Sequence, residues 1–217
     1  MTSDLSLRIT EIFYSLQGET RSVGLPTVFV RLTGCPLRCG YCDTAYAFTG
    51  GKKWTLTDIL AEVKKYKTQY VTVSGGEPLA QKNCWPLMSA LCDEGYEVSL
   101  ETSGAIDIHG VDPRVVVVMD LKTPDSTEEA RNRYENIPLL KSTDQVKFVI
   151  CSRSDYDWSK AILERYQLTK RCQILFSPSY SDLSAQQLAD WIIADQLCEV
   201  RLQIQLHKVL WQDARGK

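Results

Sequence analysis

Two kinds of hydrophobic pattern alternate along the chain. TVFVRLT (27–33), YVTVS (70–74), YEVSL (96–100), VVVVMDL (115–121), QVKFVI (145–150), QILFS (173–177) and VRLQIQL (200–206) are rich in β-branched and aromatic residues. Several are nearly continuous apolar runs, the pattern of strands covered on both faces. Helical stripes lie between them. In TLTDILAEVKKY (55–66), Leu56, Ile59, Leu60, Val63 and Tyr66 share one face, with Thr55 or Thr57 available as a cap. PLMSALCDEG places Pro86 in a first turn and stops at Gly95, and SAQQLADWIIADQ begins with Ser184 as its cap.

This order predicts an α/β fold on a mostly parallel sheet. A full eight-stranded barrel needs roughly 250 residues, and the chain has 217, so a trimmed, partial (β/α) barrel is expected. No repeat, low-complexity tract or Pro/Gly-rich linker divides it, which predicts a single domain over 1–217. Functional groups in such sheets sit at the carboxyl ends of strands.

Composition removes several function classes. Hydrophobic residues make up 44% of the chain, enough for a sizeable core. A formal charge of -2 argues against a partner such as nucleic acid or an anionic membrane. The pairs Lys52-Lys53 and Lys64-Lys65 read as solvated surface. No apolar run is long enough to span a membrane, and the N-terminal stretch lacks the basic and apolar regions of a signal peptide. A cytoplasmic location is expected.

The eight cysteines divide unevenly. Cys84, Cys92, Cys151, Cys172 and Cys198 are scattered among apolar neighbours and read as packing. Cys35, Cys39 and Cys42 fall together in GCPLRCGYCDT (34–44), where Gly34, Pro36 and Gly40 let a loop wrap a metal group. Three thiols are one short of a closed zinc site. One reading is therefore a zinc-stabilised binding module with a distant fourth ligand, Cys84 or His109. The other is a [4Fe–4S] cluster whose fourth iron is left open to an outside ligand.

Cys-x3-Cys-x2-Cys, with Tyr41 just before the third cysteine, resembles the signature of the radical S-adenosylmethionine (SAM) enzymes. The resemblance implies a cluster whose open iron is chelated by SAM, and a 5′-deoxyadenosyl radical released by reductive cleavage. VTVSGGEP (71–78) resembles the family's SAM amino-group motif, with Gly75 and Gly76 giving close backbone approach and Glu77 a charged acceptor. LETSG puts Glu101, Thr102 and Ser103 at a strand end where ribose hydroxyls could bind. Asp120-Leu121-Lys122 either contacts SAM, as the equivalent strand end does in relatives, or marks the return to solvent.

ITEIFYSLQGET (9–20) and GLPTVFVRLTGCPLRCGYCDT (24–44) resemble the 7-carboxy-7-deazaguanine synthase family within that superfamily. Weaker matches in SGGEP, ETSG and QLHK (205–208) extend the likeness over nearly the whole chain. It implies a radical SAM barrel, a homodimer, and a lyase making 7-carboxy-7-deazaguanine from 6-carboxy-5,6,7,8-tetrahydropterin with loss of ammonia. Cofactors would be the cluster, SAM and Mg2+, and the electron donor a protein such as flavodoxin or ferredoxin. Substrate contacts carry over to Leu16, Gln17, Gly18, Arg31 and Ser74, and the magnesium ligand to Thr44, with Asp43 as rival or support. Arg31, inside an apolar strand, would pair with the substrate carboxylate or internally with Glu11 or Glu19. His207 and Lys208 would close the pocket or lie on the surface. Two features depart from the family: Asp120-Leu121-Lys122 stands where some relatives carry Ser-Pro-Lys, and WQDARGK runs past the usual end. A radical SAM activase acting on a partner protein would share the cysteine loop and Gly-Gly-Glu, but not LQGE or Arg31.

Overall fold

The computed structural model describes residues 5–212 and 214–216. Its strands are β1 (Ser6–Leu16), β2 (Pro26–Leu32), β3 (Lys52–Thr55), β4 (Tyr70–Gly75), β5 (Glu97–Thr102), β6 (Val116–Asp120), β7 (Gln145–Ile150), β8 (Gln173–Pro178) and β9 (Val200–Leu202). They form one open sheet in the order β3-β1-β2-β4-β5-β6-β7-β8-β9. β1 runs antiparallel to β2 and β3, and every pairing from β2 to β9 is parallel. The helices are α1 (Leu56–Val63), α2 (Cys84–Asp93), α3 (Arg153–Tyr166), α4 (Ala185–Ala194) and α5 (Leu206–Trp211). None among the described residues is long and apolar enough to cross a membrane.

Successive strand residues point to opposite faces, and here the two faces differ in kind. Val28, Val30 and Leu32 of β2, Val71 and Val73 of β4, Val117 and Met119 of β6, and Phe148 and Ile150 of β7 join one apolar core. That core also holds Leu56 and Ile59 of α1, Leu87 and Leu91 of α2, Tyr156 of α3 and Leu188 of α4. The residues between them, among them Arg31, Ser74, Glu101, Asp120 and Lys147, line a cavity on the other face. The expectation of strands apolar on both faces is thus corrected: only the helix-covered face is continuously apolar.

Side-chain caps start two of the three expected helices, while α2 begins at Cys84 without one. Thr55, rather than Thr57, accepts the Asp58 N–H at 3.1 Å to start α1. Ser184 accepts the Gln187 N–H at 3.1 Å to start α4. α3 escaped the pattern because polar residues sit on its buried side. Asp155 accepts the N–H groups of Asp125 and Cys151, each at 3.0 Å, and the Ser159 hydroxyl donates to the Asp155 carbonyl at 2.7 Å. β1 escaped as a strand because its register shifts between Ile9 and Glu11, which breaks the period of two.

The last strand is shorter than expected. VRLQIQL alternates like a strand, yet β9 ends at Leu202. Beyond it the Leu206 N–H bonds to the Gly18 carbonyl at 3.0 Å and α5 begins. Of the scattered cysteines, Cys84 and Cys172 are buried in the core and Cys92 packs against it. Cys151 is half-buried and Cys198 is exposed, so the packing role does not extend to Cys198.

Phe148 is fully buried and stacks edge-on against Trp158 and Phe176, with ring centroids 6.2 and 5.5 Å away. Phe148→Ala is expected to cost roughly 3–5 kcal/mol, read as a lower urea midpoint with an unchanged slope.

Candidate active site

The cysteine loop leaves the end of β2 and is bound at once to the turn after β4. The Gly76 N–H donates to the Leu32 carbonyl at 3.2 Å, and the Glu77 N–H to the Gly34 carbonyl at 2.8 Å. A Cβ at Gly76 would lie 2.4 Å from the Gly34 oxygen and 2.6 Å from Cys35 Cβ, so only glycine fits this crossing. Gly34 N–H also holds the Ala47 carbonyl at 2.8 Å, and Gly40 N–H the Ser126 carbonyl at 3.2 Å. Cys35, Cys39 and Cys42 are free, partly exposed, and all line the cavity. Burial pushes the Cys35 thiol up and the Cys39 thiol to about 11, so metal binding must displace protons from them.

The two metal readings separate on the position of the fourth ligand. Cys84 is buried in the helix-covered core, and His109 is exposed on a loop that does not reach the cavity. Among the described residues, no three His, Cys, Asp or Glu side chains gather where a single metal ion could be held. Among the described residues, neither Cys84 nor His109 is placed to complete a zinc knuckle on this loop. A four-iron cluster is wider than one ion and can be held by three thiolates with one iron open, which fits three cavity-facing thiols on one anchored loop.

The cavity, about 460 Å³, has the size of an ordinary small-molecule site. Leu16, Gln17, Gly18, Arg31, Thr44, Ser74, Gly76, Glu101, Ser103, Asp120 and Lys122 line it together with the three cysteines. Two expected residues do not. Leu121 belongs to the apolar core. Glu77 is fully buried, and its carboxylate is taken up by its own neighbours. It accepts from Leu79 N–H at 3.0 Å, Thr102 hydroxyl at 2.9 Å, Ser103 N–H at 2.7 Å and Ser103 hydroxyl at 2.6 Å. Glu77 fixes the end of β5 to the glycine turn, leaving the backbone of Gly75 and Gly76 as the motif's face on the cavity.

Charges are dense on the polar face. Arg31 donates through Nε to Glu11 at 2.8 Å, and Tyr46 donates to the same carboxylate oxygen at 2.8 Å. Lys147 bonds to Glu19 at 2.7 Å, and Lys122 pairs with Asp120 at 3.1 Å. Burial works against both lysines, but these acids outweigh it and hold each ammonium above its ordinary range. Burial, with Glu19 nearby, raises Glu101, which accepts from Ser74 at 3.0 Å and Gln17 at 3.3 Å. Asp120 Oδ1 and the Tyr41 hydroxyl are buried without a hydrogen-bond partner among the described residues, although both side chains belong to the cavity wall.

Several residues hold positions the sequence did not foresee. Gln17 is 2% exposed and already satisfied: its amide oxygen accepts Glu19 N–H at 3.1 Å, and its NH2 reaches Thr72 and Glu101. It shapes the wall rather than presenting a free amide. Thr44 donates to Asp43 at 2.7 Å, which helps hold Asp43 below the carboxylate range against its burial. His207 and Lys208 line the cavity, and a Cβ on Gly18 would meet His207 Nδ1 at 2.2 Å. Lys147 was missed, although one lysine in the apolar run QVKFVI is the same signal that singled out Arg31. Phe13 and Phe29, stacked 4.9 Å apart beneath the Arg31 guanidinium, were missed because aromatic strand residues read as core.

Known proteins resemble the chain over most of its length. A family model described as the Radical SAM superfamily matches residues 29–168. The 7-carboxy-7-deazaguanine synthase of Chlorobaculum tepidum is 41% identical over 220 residues, covering 100% of both chains. The enzyme of the same name from Thermoplasma acidophilum is 36% identical, covering 96% of this chain and 99% of its own. The crystal structure of QueE from Escherichia coli shares the fold, with a TM-score of 0.78 at 24% identity over 93% of this chain and 95% of that one. Superfamily membership brings a [4Fe–4S] cluster and SAM as cofactors. The chain belongs to the radical SAM superfamily and, within it, to the family of the 7-carboxy-7-deazaguanine synthases.

Proposed function

We propose that the chain is a carbon–nitrogen lyase that contracts 6-carboxy-5,6,7,8-tetrahydropterin to 7-carboxy-7-deazaguanine, releasing ammonia, in the formation of queuosine or another 7-deazapurine. The observation that carries this reading is Arg31 on the wall that also bears the three cluster thiols. Its pairing with Glu11 uses Nε alone, and its terminal nitrogens make no ion pair among the described residues. They remain for a substrate carboxylate, a bidentate partner suited to guanidinium. Of the internal partners foreseen for Arg31 the one found is Glu11, and the substrate carboxylate would take the other side of the fork.

Cys35, Cys39 and Cys42 would hold the cluster, which with bound SAM supplies the 5′-deoxyadenosyl radical. Gly76, Ser103, Asp120 and Lys122 would seat SAM, with Asp120 Oδ1 as a waiting acceptor. Ser74 would face the pterin, next to Glu101, while Leu16 and Gly18 offer their backbone edge. Gln17 would set their position. Leu121 and Glu77 would act from behind the wall, and Glu101, which accepts from Ser74 at 3.0 Å, would lie beside the pterin as well as the ribose. Magnesium takes oxygen ligands and keeps several waters, so Thr44, with Asp43 beside it, could bind one between protein and substrate. His207 and Lys208 would close the cavity. We read the chain as one domain, a homodimer in the cytoplasm, reduced by a protein such as flavodoxin or ferredoxin and without a nucleic-acid partner. A cavity of about 460 Å³ suits a small substrate better than the polypeptide an activase would handle.

Anaerobically reconstituted protein with dithionite, SAM, magnesium and 6-carboxytetrahydropterin should yield 7-carboxy-7-deazaguanine by mass spectrometry, and Cys39→Ala should not. Formation of 5′-deoxyadenosine without that product would sink the substrate assignment. Arg31→Lys keeps a charge beside Glu11 but loses the fork. It should raise KM for the pterin roughly 10- to 100-fold, the worth of a charge-assisted hydrogen bond, with SAM affinity little changed. Gly76→Ala should prevent stable cluster loading, seen as a lost iron absorbance, because its methyl displaces the cysteine loop. Thr44→Val should raise the magnesium concentration needed for half-maximal rate.

A further inference from the structure

We propose that Lys147 is a positioning residue that ties the substrate-side loop to the SAM-side strand end, standing between the carboxylates of Glu19 and Asp120. Its Nζ lies 2.7 Å from Glu19 Oε2 and 3.7 Å from Asp120 Oδ2. The Asp120 contact follows from register, since Asp120 of β6 is the pairing partner of Lys147 on β7. The Glu19 contact does not. Glu19 comes from the loop after β1, 128 residues away in sequence, and reaches Lys147 across the cavity.

The contacts extend on both sides. Glu19 Oε1 accepts from Gln205 at 3.2 Å, and the Glu19 N–H holds the Gln17 side chain at 3.1 Å. Asp120 Oδ2 also pairs with Lys122, while its Oδ1 is buried without a partner. Two ammonium groups thus hold one oxygen of Asp120, and the other has no hydrogen-bond partner among the described residues. A lone buried ion pair often adds little to stability, because desolvation cancels much of its attraction. One cation shared by acids from two ligand subsites has a positional use that such a pair lacks. Without Lys147, the carboxylates of Glu19, Asp120 and Glu101 would share the cavity with less compensating charge. Both the 16–19 loop and the Asp120 acceptor would lose their setting.

The substrate half of this inference rests on the function proposed above, and the SAM half on superfamily membership together with the seat proposed above for SAM at Asp120. The test measures dissociation constants for SAM and for 6-carboxytetrahydropterin separately, by equilibrium dialysis on cluster-loaded protein, with iron content and melting temperature as controls. Lys147→Met should weaken both ligands by about tenfold or more, the size of ordinary site-to-site couplings. Lys147→Arg should recover most of both, and Glu19→Gln should weaken the pterin while sparing SAM. An unchanged SAM constant in Lys147→Met would overturn the proposal, as would Lys147→Arg behaving like Lys147→Met. Should Lys147→Met fail to load the cluster, Lys147→Arg and Glu19→Gln still decide, since equal loss of both ligands in Glu19→Gln contradicts the two-armed arrangement. If the wild-type protein binds SAM but not the pterin, the proposed function fails and the SAM arm still tests Lys147.

Discussion

A pleated strand presents its side chains alternately to two sides, and a sheet backed by helices can bury only one of them against those helices. Here the helix-covered side absorbs the valines, leucines and phenylalanines, and the opposite side must carry whatever else the sequence places between them. Arg31, Ser74, Glu101, Asp120 and Lys147 are spaced so that every one falls on that second side. A shift of one residue in any strand would exchange its polar and apolar sets. The core and the cavity are therefore one constraint seen from two sides, and neither can be altered alone.

The loops at the carboxyl ends of the strands turn this polar surface into a site. The cysteine loop and the glycine turn are joined by backbone hydrogen bonds through Gly34, Gly76 and Glu77, so the three thiols and the backbone of Gly75 and Gly76 are held to one another. Glu77 extends the same unit to the end of β5 through Thr102 and Ser103. Across the cavity, the LQGE loop is held by α5 through Gly18 and by Lys147 through Glu19. Three separate parts of the chain are thus fixed around one space before any ligand arrives, which lowers the ordering cost of binding.

Much of this was legible in the sequence. Seven of the strands (the last drawn too long), three helices and the cysteine loop follow from periodicity and breaker residues alone, and Arg31 announces itself as a charge in an apolar run. The resemblance then named the cofactors. What stayed hidden was hidden for physical reasons. α3 buries Asp155 and Ser159 in hydrogen bonds that no hydrophobic stripe records. The alternation of VRLQIQL continues past the point where hydrogen bonding ends β9 and starts α5. Glu77 and Gln17 have the right chemistry to contact ligands, but neighbours far along the chain already satisfy them, a fact only the fold supplies. Lys147 is readable by the rule that finds Arg31, whereas its partner Glu19 offers itself in the sequence only as a partner for Arg31.

The central claim is that the polar face of the sheet seats the pterin in front of the cluster. An anaerobically grown crystal structure of cluster-loaded protein with SAM and 6-carboxytetrahydropterin tests it most directly. The account predicts the substrate carboxylate on the terminal nitrogens of Arg31, the ring beside Ser74, and SAM between the ring and Asp120. A pterin bound outside this cavity, or bound within it with Arg31 contacting Glu11 alone, would contradict it.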